Sequence, residues 1–206
     1  MSDTQITLIV ADDQSMVRGG LAALLDLEPD IAVVGQAATG PETLALIREL
    51  RPDVALVDIE MPGASGLKVA EEIHADDSVH TRILIVTTFG RTGYLRRALD
   101  AGVGGFMVKD SPAEELAVAV RKIHSGLRVV DPELATQSLL EGENPLTERE
   151  QQILRMAGEG KAVSAMAKAL FLSPGTVRNH LSSAIAKTHS MNKTEAARVA
   201  EERGWL

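Results

Sequence analysis

Five side chains that can support phosphoryl chemistry stand at or just after the ends of apolar runs in this sequence. They are Asp12, Asp13, Asp58, Thr87 and Lys109. An apolar run without polar alternation is typical of a strand that is buried on both faces of a parallel sheet. The carboxyl ends of parallel strands meet at one edge, where open α/β sheets bind their ligands. We therefore expect these five side chains to form a single site.

The types of these side chains favour phosphoryl transfer. Three carboxylates at one edge repel each other unless a hard cation joins them, and oxygen ligands without sulfur or imidazole favour Mg²⁺. Phosphoryl transfer needs positioning and neutralisation of charge, which Mg²⁺ and the Lys109 ammonium would supply. Asp58 would be the covalent acceptor, and the Thr87 hydroxyl would hydrogen-bond a phosphoryl oxygen. Taken singly, each residue also has a structural interpretation, such as a turn cap or a surface lysine.

The elements that must position these residues alternate along the first 125 residues. Strands are predicted at 6–10, 31–36, 54–58, 82–88 and 104–109, and helices at 17–27, 41–50, 67–74, 94–101 and 112–124. Five strands alternating with five helices predict an α/β fold, a doubly wound, five-stranded parallel sheet of the flavodoxin-like class with right-handed connections.

Composition limits the classes of protein that the chain can belong to. With 206 residues and 45% hydrophobic content, one or two domains with real cores are expected. The chain has no cysteine, which excludes disulfides, thiolate metal sites and a thiol nucleophile. The first residues lack the pattern of a secretory signal, and no apolar run approaches the length of a membrane span. We therefore expect a cytoplasmic protein without membrane association.

Charge divides the chain into two parts. Residues 1–125 contain 11 Lys and Arg against 19 Asp and Glu, whereas residues 144–206 contain 9 against 6. The net charge of -8 therefore comes from the first part, and the second part can approach nucleic acid. Between them helical periodicity fades, so that we predict a first domain at 1–125, a linker at 126–143 with a short helix at 132–140, and a second domain at 144–206.

The second domain is predicted to be entirely helical. Thr147 and Glu150 form a capping box that opens a helix through residue 158. A second helix is predicted at 163–170, and a fourth at 194–203. Ser173 as N-cap and Pro174 at the first position open the third helix, which runs to about residue 187. The second and third helices, with their short connection, match a helix-turn-helix, although generic helical bundles have such turns too.

Residues 5–125 resemble the receiver domain of two-component response regulators. The resemblance rests on Asp12-Asp13, Asp58 followed by Met61-Pro62-Gly63 and Gly66, Thr87, and Lys109. It implies that Asp58 accepts a phosphoryl group from a sensor histidine kinase. It also implies that Asp13, Asp58 and the backbone carbonyl of Glu60 ligate Mg²⁺ with the assistance of Asp12. Thr87 and Phe106 fall on the positions whose side chains rearrange when phosphate arrives.

Residues 144–206 look like the LuxR-type DNA-binding domain of the NarL/FixJ subfamily. The matching segments are 144–150, Gly160, 170–180 and 192–196. The likeness implies that Thr176, Arg178, Asn179 and Ser182 face DNA, with Arg178 on phosphate or guanine and Asn179 on a base edge. Ser182 departs from the family, which often carries a basic residue there.

Together these resemblances predict a transcriptional regulator in which phosphorylation of Asp58 promotes dimerisation and binding to promoter DNA. The first and last receiver helices, including Gly19-Gly20, are the preferred dimer face, and the helix at 93–101 is the alternative. Three segments, 60–63, 87–94 and 109–112, are similar to regulators that are paired with thermosensor kinases and control fatty-acid desaturases.

Two rival functions are open to test. A haloacid-dehalogenase-like phosphatase would place a second Asp two residues after the nucleophile, where this chain has Glu60. A DNA-binding protein with a degenerate receiver would act independently of phosphate.

Overall fold

The sheet of the first unit is parallel and has six strands. The computed structural model describes residues 5–88, 92–141 and 144–206. The strands are β1 Ile6–Ala11, β2 Ile31–Ala37, β3 Val54–Asp58, β4 Arg82–Thr87, β5 Gly105–Val108 and β6 Val129–Val130. Their order across the sheet is β2-β1-β3-β4-β5-β6, and every neighbouring pair is parallel.

The sixth strand corrects the prediction of a five-stranded sheet. Val129 and Val130 lie in the stretch that was predicted as a linker, and they pair with Gly105 and Phe106 of β5. Two residues are too few to display the periodicity of a strand. Val129 and Val130 form a strand because the backbone groups along the edge of β5 are available for pairing. A two-residue pattern in the sequence gives no sign of such a pairing partner.

The order of the strands places a crevice between β1 and β3. The chain passes from β1 to β2 on one side and then returns to β3 on the other side of β1. β3 is buried along its whole length, and only one residue of β1 is partly exposed, as expected for strands covered on both faces. Ligands bind at such switch points, outside the carboxyl ends of the strands.

Helices alternate with the strands along the chain, and at least four of them contact the sheet. The helices of this part are α1 Ser15–Asp26, α2 Gly40–Leu50, α3 Gly66–His74, α4 Thr92–Asp100, α5 Ala113–His124 and α6 Pro132–Glu141. The stretch predicted as a linker thus contains both β6 and α6. In the described ranges, no helix is long and apolar enough to cross a membrane.

The second unit is a bundle of four helices, as predicted. They are α7 Glu148–Gly158, α8 Val163–Ala169, α9 Pro174–Lys187 and α10 Lys193–Glu202. Thr147 and Ser173 are their predicted N-caps: Thr147 accepts a hydrogen bond from the Glu150 N–H, and Ser173 accepts one from the Thr176 N–H. The core includes Ile153, and Trp205 packs into it from beyond α10.

Glu150 ties α7 to α9 in addition to capping α7. Its buried carboxylate accepts hydrogen bonds from the Thr147 N–H at 2.7 Å, the Ser183 hydroxyl at 2.6 Å and the Lys187 ammonium at 2.7 Å. Burial by itself would raise the pKa of Glu150, but these donors lower the pKa to about 2. The charged carboxylate is therefore stabilised specifically in the folded state.

This shift predicts a pH-dependent stability of the second unit. The lowered pKa stabilises the fold fully above pH 4.5, and this stabilisation, of the order of 3 kcal/mol, is lost as the pH falls from about 4.5 towards 2. Fluorescence of Trp205 during urea unfolding reports on this unit, because Trp205 is the single tryptophan of the chain and is buried in this core. Glu150→Gln should lower the free energy of unfolding at neutral pH by about 2 kcal/mol and flatten this pH dependence.

Glu148→Gln is the matched control, because Glu148 lies in the same first turn but is exposed. It should retain the pH dependence of the wild type. Equal pH dependence in the wild type and Glu150→Gln would contradict the assignment.

Candidate functional site

The residues predicted to carry chemistry meet at the carboxyl edge of the sheet. Asp12 and Asp13 follow β1, and Asp58 ends β3. Thr87 ends β4, and Lys109 directly follows β5. The strand register brings these ends into line, since the last residues of β1, β3 and β4 pair with residues at the ends of their neighbours.

The centre of the site is an ammonium between two carboxylates. Lys109 Nζ lies 2.7 Å from Asp12 Oδ2 and 2.9 Å from Asp58 Oδ2. The side chains of Lys109 and Asp58 are 5% exposed, and that of Asp12 is 0% exposed. Three charges in a nearly dry site are stable only as a set, because removing one leaves an uncompensated buried charge.

Hydrogen bonds fix the Asp12 carboxylate and the backbone around both aspartates. The Gln14 N–H donates to Asp12 Oδ1 at 2.9 Å, and the Arg18 guanidinium donates to the Asp12 carbonyl at 2.6 Å. After β3, the Gly66 N–H donates to the Ile59 carbonyl at 2.9 Å. A Cβ at Gly66 would lie 2.1 Å from the Asp58 carbonyl oxygen, so only glycine allows the start of α3 to approach this closely.

The environment shifts the pKa of both charge types upwards. Burial raises the pKa of the Asp58 carboxyl and the charge of Asp12 adds to this effect, while Lys109 acts against it. Burial would lower the pKa of the Lys109 ammonium, but Asp12 and Asp58 together hold that pKa above its usual value. Lys109 is therefore a fixed positive charge beside Asp58, suited to neutralising added negative charge.

The acidic cluster fits a hard divalent cation. Asp12, Asp13 and Asp58 each offer a carboxylate oxygen, and these atoms lie within 4.8 Å of one another. Asp13 is exposed and opens the cluster to solvent. Within the described ranges, the buried Asp12 Oδ2 has no hydrogen-bond partner, so that its polar contact is the ion pair with Lys109. An all-oxygen donor set that is open to solvent at Asp13 matches the preference of Mg²⁺.

Thr87 and Phe106 lie in the neighbouring strands β4 and β5. The Thr87 side chain is buried, and its carbonyl accepts a hydrogen bond from the Lys109 N–H at 2.8 Å. Phe106 is fully buried in β5, inside the sheet rather than at its edge. The Phe106 carbonyl accepts a hydrogen bond from the Asp131 N–H at 3.0 Å. The predicted switch position is thus bonded to the start of α6.

The contacts of two residues, Asp131 and Arg18, were not predicted from the sequence. The Asp131 carboxylate accepts hydrogen bonds from the Glu133 and Leu134 N–H groups and so caps α6. The pair Asp131-Pro132 was a readable signal, because an acidic N-cap before Pro at the first helical position is a typical helix start. Arg18 carried no such signal, since its contact is with a backbone carbonyl.

The predicted DNA-contacting residues lie on α9. Arg178, Asn179 and Ser182 are exposed, whereas Val177, Leu181 and Ala184 of the same helix are buried. Thr176 is half-buried, and its hydroxyl lies 2.9 Å from the Ser173 hydroxyl in the N-cap. The helix therefore presents one polar face while its opposite face packs in the core.

Two family models match successive parts of the chain. The response regulator receiver domain matches residues 8–121. The family of bacterial regulatory proteins of the luxR type matches residues 144–200. Together they cover most of the chain and coincide with the two resemblances stated from sequence.

Relatives of known class extend over the whole chain. The uncharacterized transcriptional regulatory protein YvfU of Bacillus subtilis (strain 168) is 50% identical over 98% of this chain and 100% of its own length. The transcriptional regulatory protein DesR of the same strain is 42% identical over 98% of this chain and 99% of its own length. The crystal structure of the response regulator ChrA, from a heme-sensing two-component system, is 31% identical, with a TM-score of 0.59 over 98% of this chain and 100% of that chain.

These relatives are regulators, so the phosphatase alternative is wrong. The receiver match contains the buried Asp12–Lys109–Asp58 set, and the luxR-type match contains the exposed face of α9. The chain therefore belongs to the DNA-binding response regulators of two-component systems, which join a receiver domain to a LuxR-type DNA-binding domain.

Proposed function

We propose that a sensor histidine kinase phosphorylates Asp58 and that this modification promotes dimerisation and binding to promoter DNA. The observation that carries the proposal is the buried Lys109 ammonium between Asp12 and Asp58, in a chain that also has a LuxR-type DNA-binding domain. We assign the receiver to residues 1–125, the connecting segment to 126–143 and the DNA-binding domain to 144–206. The protein acts in the cytoplasm, where kinase output and promoter DNA meet.

The chemistry at Asp58 is a transfer from nitrogen to oxygen. A carboxylate oxygen of Asp58 attacks the phosphorus of a phosphohistidine, so that a P–O bond forms as the P–N bond to the imidazole breaks. Lys109 balances the negative charge brought by the phosphoryl group, and the Thr87 hydroxyl donates to one of its oxygens. Asp12, Asp13, Asp58 and the backbone carbonyl of Glu60 would hold Mg²⁺, which supplies further neutralisation of charge.

We expect the effect of phosphorylation to reach the rest of the chain through β5. A phosphoryl group on Asp58 competes with Asp12 and Asp58 for the Lys109 ammonium, and Lys109 directly follows β5. Thr87 and Phe106 then adopt a second arrangement. Because the Phe106 carbonyl is bonded to the Asp131 N–H, a shift of β5 changes the anchoring of α6.

The first and last receiver helices form the proposed dimer face. α1 and α5 pack against each other, and Met16, Leu24 and Leu27 on or directly after α1 are exposed. Gly19 and Gly20 are exposed, and a Cβ at either would meet no atom of the described residues within 4 Å. Close approach within the chain therefore does not explain two glycines that each cost about 1 kcal/mol of helix propensity. Approach of a second copy does explain them, and a two-fold dimer presents two α9 helices to paired half-sites.

On DNA, α9 would occupy the major groove. Arg178 contacts phosphate or guanine, and Asn179 reads a base edge. Thr176 and Ser182 contribute further polar contacts through their short side chains. Thr176 does so from the first turn of α9. From the narrower likeness to regulators of fatty-acid desaturases we infer an operator upstream of a desaturase gene or of the adjacent kinase gene. A map of binding sites that contains neither would contradict that assignment.

The Mg²⁺ assignment predicts a loss of metal affinity in Asp13→Asn. Asp13 is exposed, so the substitution leaves the buried ion pairs intact while removing one ligand charge. Isothermal titration calorimetry of the full chain with MgCl₂ should give binding weaker by roughly tenfold or more. Asp77→Asn, which removes an exposed carboxylate in the loop before β4, should bind like the wild type. Equal affinities for Asp13→Asn and the wild type would refute the assignment.

The phosphorylation assignment predicts a mass change coupled to assembly. With Mg²⁺ and a small-molecule phosphodonor, the wild type should gain one phosphoryl mass and sediment as a dimer. Asp58→Ala should do neither, because it lacks the acceptor oxygen. Labelling of the wild type without dimer formation would show that control lies elsewhere in the chain. Absence of labelling would restore the phosphate-independent alternative.

The dimer face predicts a selective effect of Gly20→Arg. The new side chain has open space in the monomer, so the fold should be retained, but it obstructs a partner helix. Phosphorylation-dependent dimerisation, measured by sedimentation, should weaken by roughly tenfold or more while labelling of Asp58 is unchanged. Ala45→Arg on α2, which packs with α3, adds the same charge at an exposed position and should dimerise normally. Normal dimerisation of Gly20→Arg would exclude the α1–α5 face.

A further inference from the structure

Phe171 stands almost completely in solvent at the turn of the helix-turn-helix. Its surface is 96% exposed, the largest value among the exposed large hydrophobic residues of the described ranges. Its neighbours Leu170 and Leu172 are half-buried and pack against the core of the second unit. The direction of the chain therefore requires residue 171 to point outward, but nothing in the fold requires it to be aromatic.

The backbone conformation at position 171 is unfavourable for a bulky residue. The turn after α8 is a Schellman motif, in which the Leu172 N–H donates to the Ala167 carbonyl at 2.9 Å and the Phe171 N–H to the Lys168 carbonyl at 3.4 Å. This motif places Phe171 in the left-handed region, with φ of 55°. Glycine is the usual residue there because a Cβ is unfavourable, and a bulky side chain at positive φ is an outlier.

The other helices of this unit show which residues occupy the equivalent position after the helix end. Gly160 follows the end of α7 with φ of 78°, and Gly204 follows the end of α10 with φ of 64°. In both turns the glycine N–H and the N–H of the next residue donate the same pair of backbone hydrogen bonds as Phe171 and Leu172 do. After α9 the position is taken by His189, with φ of 52°. Phe171 is the bulky apolar exception, and it is found in the turn that leads into α9.

Phe171 lies directly before α9, the helix proposed to enter DNA. Phe171 precedes Ser173, the N-cap of α9, by two residues, and Arg178 and Asn179 lie in the first half of that helix. In a helix-turn-helix the N-terminal part of the second helix enters the major groove while the first helix crosses the backbone. The turn between them therefore lies beside the sugar-phosphate strand.

We propose that the Phe171 ring packs on the apolar face of a deoxyribose beside the major groove and so fixes how deeply α9 enters it. The inference rests on the DNA-binding role proposed for α9. Deoxyribose is the apolar part of the DNA backbone that a ring at this place can reach without unstacking bases. The contact is independent of sequence, because every nucleotide presents the same sugar. The favourable contact offsets the conformational cost at positive φ.

The test separates binding from stability. Phe171→Asn and Phe171→Gly should weaken binding roughly tenfold, both to a duplex selected by the wild type from a random-sequence pool and to an unrelated duplex of equal length. The midpoint of urea unfolding, followed by Trp205 fluorescence, should not fall, because Asn and Gly suit the left-handed backbone better. Phe171→Leu, which keeps an apolar contact, should retain most of the affinity.

Two comparison variants identify the type of contact. Asn179→Ala should weaken binding to the selected duplex alone, as expected for a base contact. Arg178→Ala, if it contacts phosphate, should lower the salt dependence of binding by about 1 in the log-log slope, whereas Phe171→Asn should leave that slope unchanged.

The outcomes distinguish this inference from the proposed function. Unchanged affinity in both Phe171→Asn and Phe171→Gly, with losses in Arg178→Ala and Asn179→Ala, would overturn the inference alone. Unchanged affinity in all four variants would overturn the assignment of α9 as the DNA-reading helix. A parallel loss of stability and affinity would assign Phe171 a structural role. Loss of dimer formation without weaker binding to the unrelated duplex would assign it to a contact between copies, and either result would overturn the inference.

Discussion

The structure of the receiver depends on one buried ammonium that two carboxylates share. Lys109 contacts Asp12 and Asp58 at the carboxyl edge of the sheet, and all three side chains are nearly dry. Such a set is stable only while each charge has its partner, so β1, β3 and β5 must end in register. The same condition underlies the proposed switch, because negative charge added at Asp58 would redistribute the contacts of Lys109.

A continuous set of backbone bonds leads from this charge set to the rest of the chain. Lys109 directly follows β5, and β5 is bonded to β6 through Phe106 and Asp131. Asp131 also caps α6, so the end of the sheet and the start of the next helix share one residue. A short strand that sequence patterns assign to a linker thus connects Phe106, the proposed switch residue, to the segment that leads to the DNA-binding domain.

The second unit also contains a buried charged group whose partners come from different parts of the chain. Glu150 is a buried carboxylate whose donors come from its own helix cap and from Ser183 and Lys187 of α9. These bonds fix the orientation of α9 relative to α7, so that the packing of the core determines which face of α9 is exposed. The turn before α9 carries Phe171 at a position that glycine occupies after α7 and α10 and histidine after α9, and the contact proposed with deoxyribose would account for the ring.

Sequence by itself determined the alternation of strands and helices, the carboxylates at strand ends and the caps at Thr147 and Ser173. These features are local, since a buried parallel strand is apolar throughout and a cap is defined within four residues. Strand ends also predicted that Asp12, Asp58 and Lys109 share one edge, but tertiary structure alone decided that the Lys109 ammonium pairs with both carboxylates. It alone also decided that Val129 and Val130 form a strand and that Glu150 bridges two helices. Each of these depends on groups distant in the chain, whose proximity is created by strand order and helix packing and leaves no periodic trace in the sequence.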